Sequence, residues 1–224
     1  MLRDIVFPEN YAYRNGSEND TKQFYIDALS HSTEICLLLG YFSSSAISLL
    51  ASGFAYFISN GGTMKLVINQ FLSANDRASL ERAENSEIEA EIDLTDFSKL
   101  ENMLGRYDKH FFECLAYLIS EKRIEIKIIK PKNSNGIAHF KEGLFFDGQD
   151  YLGFSGSCNF TFFGLVKNTE KLNVFLGWEE DKRSKIFIED LRKTFFNYFD
   201  KKDKTVDYLS VDEIEIAIKD KFGN

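Results

Sequence analysis

His139 and Lys141 stand two residues apart, Ser157 and Asn159 repeat that spacing, and Glu170 follows shortly after. An imidazole, an ammonium, a hydroxyl, an amide and a carboxylate in so short a stretch are the groups needed to attack, hold and protonate around a small anion. Within the alternating run Ile137 to Lys141, side chains i and i+2 leave the same face of a strand, so His139 and Lys141 are expected to point the same way. Ser157 and Asn159 follow the turn-forming Gly156 and can present a hydroxyl and an amide to one anion. Glu170 opens the next apolar alternation, Leu172, Val174 and Leu176. A carboxylate there can accept a hydrogen bond from one imidazole nitrogen and leave the other free to attack or to protonate.

The elements that must position these groups are read from apolar pattern and turn residues. Ile35 to Tyr41 is a short apolar run suited to a buried strand, and Ser43 to Ser45 can cap a helix over Ala46 to Ser59. Gly61 and Gly62 stop that helix before a second buried strand, Met64 to Asn69, and a strand, helix, strand unit calls for parallel pairing. Asp76 to Ala83 and Asp108 to Glu121 read as helices, the latter turning Phe111, Leu115, Leu118 and Ile119 inward. Ile88 to Leu94 fits either helix or strand. Ile124 to Ile129 alternates as a strand, and after Pro131 and the turn-rich Asn133 to Gly136 come strands around His139, Leu144 to Phe146, Tyr151 to Phe154 and Lys171 to Leu176. A helix is expected from about Arg183 to Phe199 and another near Val211 to Lys221. The fold class is α/β, a mixed β-sheet with helices on both faces, and residues 1–224 read as one domain.

The stretch 137–178 resembles the phospholipase D superfamily, most closely its nuclease branch. His139-x-Lys141 is followed by Gly156-Ser157-x-Asn159-x-Thr161 and then Asn168-x-Glu170. A looser likeness covers Gly40-Tyr41-Phe42 at the end of the first strand and Asn60-Gly61-Gly62 before the second. One departure stands out: where the family often carries Asp five residues after the Lys, this chain has Phe146, with Asp147 one residue later and so on the opposite strand face. The resemblance implies a phospholipase D-like sheet and a metal-independent phosphodiesterase acting on DNA, an endonuclease of restriction or defence type, with RNA as the alternative substrate. It also implies roles. His139 would form a phosphohistidine, Lys141 and Asn159 would hold the phosphate, Ser157 would add a donor, and Glu170 would orient His139. Such enzymes bring two motifs together, and this chain has a single His-x-Lys, so the resemblance implies that a homodimer completes the site.

Composition narrows the choices. With 224 residues and 44% hydrophobic content the chain can bury one substantial core. No run approaches the ~18 apolar residues of a membrane span, and Met1-Leu-Arg-Asp-Ile lacks the pattern of a secretory leader, so a cytoplasmic protein without membrane contact is expected. Cys36, Cys114 and Cys158 are widely spaced and form no Cys-x-x-Cys pair, which points to reduced thiols rather than disulfides or zinc. Cys158 is expected to pack inward. His31 and His110 are assigned surface or interface roles, and Trp178 with Phe160, Phe162 and Phe163 is assigned to packing rather than base stacking. No metal or other cofactor is expected.

The net charge of −8 argues against a general nucleic-acid coat, but the charge is unevenly spread. Residues 76–96 carry a net −6, whereas residues 122–141 carry a net +5 and lead into the His139 motif. Lys130 and Lys132 in that stretch, together with Lys167 and Asn168 beside Glu170, are the expected substrate-binding residues. The chain has no Walker-type glycine-rich loop, so a helicase or DNA-recognition domain would have to be a partner or subunit. Two further readings stay open: a catalytically silent or partner-gated module binding nucleic acid or protein, and a phospholipase or phosphatidyl transferase.

Overall fold

The computed structural model describes residues 1–85, 92–132 and 136–216. Along the chain run β1 (Ala12–Arg14), α1 (Thr21–Ser30), β2 (Glu34–Leu39), α2 (Ser45–Leu49), α3 (Ala51–Ser59), β3 (Thr63–Asn69) and β4 (Phe71–Leu72). Then come α4 (Ala74–Glu84), α5 (Phe97–Gly105), α6 (Lys109–Ser120), β5 (Ile124–Pro131), β6 (Lys141–Phe146) and β7 (Tyr151–Gly156). The described chain ends with β8 (Lys171–Leu176), α7 (Lys182–Phe199), β9 (Val206–Leu209) and β10 (Glu215–Ile216). Acidic N-caps set several helix starts: the Asp20, Asp108 and Asp181 carboxylates accept the first free backbone N–H groups of α1, α6 and α7.

Eight strands form one mixed sheet in the order β1-β8-β7-β6-β2-β3-β5-β9. β2, β3 and β5 are parallel, and β6, β7 and β8 run antiparallel beside β2. The alternation along β2 explains why helices cover both faces. Ile35, Leu37 and Leu39 enter a core with Phe24 and Tyr25 of α1, Phe54 of α3 and Leu115 of α6. Cys36 and Leu38 enter the opposite core beneath Ile188, Leu191 and Phe195 of α7. A strand buried on both faces must be apolar throughout, and β2 is apolar after Glu34.

Three expectations change. The helix expected over 46–59 is two helices, α2 and α3, meeting at Leu50 with φ −104° and ψ 20°, outside helical values. His139 lies in irregular chain just before β6 rather than within a strand. Near the C-terminus, Val211–Glu213 is a single 3₁₀ turn and β10 pairs in parallel with β4, so no α-helix begins at Val211. The stretch 217–221 of that expected helix, most of Ile88 to Leu94, and the turn at 133–135 lie outside the described residues.

Candidate active site

Strand register brings the motif residues to one end of the sheet. Leu39 at the end of β2 is paired with Lys141 at the start of β6, Glu142 is paired with Ser155 near the end of β7, and Gly156 is paired with Leu172 on β8. Lys141, Ser157 and Glu170 therefore meet where β2 ends, although Glu170 stands 29 positions after Lys141.

His139 is held from below. The Gly40 N–H donates to the Phe140 carbonyl at 2.6 Å, continuing the β2–β6 pairing beyond the regular strand. A Cβ on Gly40 would stand 2.9 Å from both the Ala138 oxygen and the His139 Cα, so the His139 backbone occupies the space a side chain would take. The Tyr41 ring meets the imidazole edge-on, with centroids 5.9 Å apart. Lys141 curls back so that its Nζ lies 2.9 Å from His139 Nε2 and 3.3 Å from the His139 carbonyl oxygen. With Nε2 unprotonated the Lys141 ammonium donates to it, which leaves the imidazole proton on Nδ1.

Electrostatics agree with that arrangement. Burial and then the neighbouring Lys141 charge hold the His139 imidazolium below its ordinary pKa. Burial also lowers Lys141, and Glu170 opposes that shift by favouring the ammonium. Lys141 and Glu170 are each only 9% exposed, an uncommon state for both residue types unless paired.

Glu170 has partners other than the imidazole. Its Oε2 accepts from Ser157 Oγ and its Oε1 accepts from Asn168 Nδ2 at 3.1 Å. The expected direct bond to His139 is replaced by an electrostatic link through Lys141, because β7 lies between β8 and β6 in the sheet. Asn168 thus supports the carboxylate. Asn159 sits in the turn after Ser157, and a Cβ on Gly164 would collide with its carbonyl, so Gly164 permits that turn. The Asn159 Oδ1 is enclosed and has no hydrogen-bond donor among the described residues.

Other expected residues fall elsewhere. Lys167 is exposed on the π-helical turn Phe163–Lys167. Lys130 pairs in register with Asp207 across β5 and β9, and Lys132 Nζ lies 3.8 Å from Asp207 Oδ1. β5 is two strands from β2, about 10 Å across the sheet. Asp147 caps the β6–β7 turn, accepting from the N–H groups of Leu2, Gln149 and Asp150 at the far end of the strands. His31 bonds the Asp27 carbonyl within α1 and the following turn, and His110 faces Glu113 on α6. Phe160 is a core residue, and Trp178 packs against Phe7 with Arg3 over its ring.

Asn15 is a support that the motif did not flag. Its Nδ2 donates to the carbonyls of Gly164 at 2.7 Å and Asn168 at 2.9 Å, and its own N–H donates to the Glu170 carbonyl at 3.1 Å. It ties both motif loops to the N-terminus of α1 through Thr21. Asn15-Gly16 is a turn signal, and that is the one mark it leaves in the sequence.

No protein-family model matches this chain. No curated protein matches it either. Among solved structures, NucT from Helicobacter pylori superposes with a TM-score of 0.50 at 13% identity, over 84% of this chain and 94% of that one. Phosphatidylserine synthase from Haemophilus influenzae Rd KW20 superposes with a TM-score of 0.50 at 11% identity, over 94% of this chain but 42% of that one. The fold is phospholipase D-like. Its mixed sheet with helices on both faces is the one expected from the motif resemblance. In this phospholipase D-like fold the His139–Lys141 pair and the Ser157–Glu170 pair occupy adjoining strand ends. Nuc from Salmonella typhimurium, a phospholipase D family member, superposes with a TM-score of 0.45 at 16% identity, over 88% of this chain and 95% of that one.

Among the described residues no helix is long and apolar enough to cross a membrane.

Proposed function

We propose that this chain is a phosphodiesterase of the phospholipase D superfamily acting on DNA, an endonuclease of restriction or defence type working without a metal ion. The observation that carries the reading is the contact of Lys141 Nζ with His139 Nε2 at 2.9 Å, which pairs a neutral imidazole with an ammonium. A phosphate approaching this pair would draw the ammonium onto its oxygens and release the nitrogen lone pair for attack.

In the first step a His139 nitrogen bonds to phosphorus and the P–O bond to the leaving nucleoside breaks. The departing oxygen takes a proton from an imidazolium, and one histidine cannot both attack and protonate at that moment. A second copy of the chain, related by a two-fold axis, would supply the protonated His139. In the second step water attacks phosphorus, gives its proton to the second imidazole, and the N–P bond breaks to restore both histidines. Lys141 and Asn159 hold the phosphate, while Glu170, fixed by Ser157 and Asn168, keeps Lys141 charged.

The test is cleavage of single- and double-stranded DNA in EDTA at low salt, with wild type beside His139→Ala and mapping, under alkaline conditions, of the acid-labile, base-stable phosphohistidine. Cutting that needs His139 and passes through a labelled His139 supports the proposal. A folded dimer that cuts nothing would replace it with a silent or partner-gated module.

A further inference from the structure

A cavity of about 480 Å³ opens beside the candidate site and takes no part in the chemistry proposed above. Ser43, Ser45 and Ser48 line it from the segment after β2, and Ser73 and Asn75 line it from the start of α4. Tyr107 and Phe162 add aromatic wall. Ser43 is two residues beyond Tyr41, whose ring meets His139, and the Ser43 N–H donates to the Phe160 carbonyl at 3.0 Å, next to Asn159. Two residues of extended chain span about 7 Å, which sets Ser43 one short step from the residue whose ring meets the imidazole.

The lining decides what can enter. It contains hydroxyls, an amide and aromatic rings, and it contains no Lys, Arg or His. Directly behind it the Asp76 carboxylate, 3% exposed, accepts from Ser73 Oγ at 2.8 Å, while its Oδ1 has no hydrogen-bond donor among the described residues. A phosphate group would meet that charge without compensation. A neutral planar group carrying N–H donors suits the wall, since Ser48 commits its proton to the Gly105 carbonyl at 3.2 Å and keeps its oxygen lone pairs for an incoming donor.

Tyr107 supplies a second, independent mark. Its φ of +47° is in the left-handed region that residues with side chains seldom occupy, and such strain gathers at ligand clamps. Its ring is braced by Phe111 and Phe112, each 5.1 Å away between centroids. We infer that the cavity is a pocket for one unpaired nucleobase of the DNA strand whose phosphate reaches His139. A base stacked and paired in a duplex cannot enter it, so the substrate is single-stranded or locally opened DNA. The choice of nucleic acid as ligand rests on the phosphodiesterase reading.

The experiment measures binding by fluorescence anisotropy in EDTA, using the 224-residue chain with His139→Ala so that no strand is cut. A single-stranded oligonucleotide is compared with an abasic strand of equal length. The base-bearing strand is expected to bind roughly tenfold more tightly, the scale of one stacked base. Ser45→Leu, which fills the cavity, is expected to erase that difference. Equal binding of the two strands by the unfilled protein would overturn the pocket and requires no further variant; a folded Ser45→Leu protein that keeps the difference would do the same. Wild-type turnover of bis(p-nitrophenyl) phosphate, a phosphodiester without a base, separates the two ideas. Turnover without base discrimination removes the pocket alone, and base discrimination without turnover keeps the pocket while removing the phosphodiesterase reading.

Discussion

Gly40 lies directly beneath His139: a Cβ there would stand 2.9 Å from the His139 Cα. The contact is with backbone, which cannot swing aside as a long side chain can. Gly40→Ala is therefore expected to lift His139 away from Lys141 while leaving the two cores intact. A displacement approaching 1 Å can cost on the order of a hundredfold in rate. The check is DNA cleavage beside a thermal melt, and unchanged cleavage by a folded Gly40→Ala protein would refute this role for the glycine.

The acid limb of the activity profile should fall below the ordinary imidazole value of about 6.5. Burial, followed by the Lys141 charge, disfavours protonation of His139, so more than half of the imidazole is neutral at that pH. Lys141→Met removes the positive neighbour but keeps its bulk, and the pKa must rise because the imidazolium is no longer repelled. NMR titration of the His139 ring protons should show an upward shift; a downward one would mean that Lys141 is not the neighbour that matters.

Ser157→Ala should destabilise the protein through Glu170. It removes one of the two hydrogen bonds satisfying a carboxylate that is 9% exposed. Leaving a buried acceptor without its donor costs about 1–3 kcal/mol. Urea denaturation will measure it, and a loss near zero would indicate that water takes the place of the hydroxyl.

All three thiols should resist alkylation in the folded protein. Burial pushes Cys36, Cys114 and Cys158 up to about 12, which keeps them as unreactive thiols at neutral pH. Titration with a thiol reagent should find none before denaturation and three after it. Early reaction at Cys158, whose Sγ contacts the Gly164 carbonyl at 3.2 Å, would reveal opening of the motif loop.

The residue types and local spacings were legible in the chain itself. His139 and Lys141 are two residues apart and their side chains do meet, although His139 precedes the strand, and the apolar runs at 35–41 and 64–69 announce strands buried on both faces. Local pattern also gave α7 and β8 to within a residue or so. What the tertiary structure decided was which groups meet. Strand order places β7 between Glu170 and His139, so the carboxylate binds Ser157 and Asn168 and acts on the imidazole through Lys141. The same order leaves Lys130 and Lys132 beside Asp207 and joins Ser43, Ser73 and Tyr107 around one cavity. Those meetings depend on register and crossover between segments tens of residues apart, and no local periodicity encodes such distances.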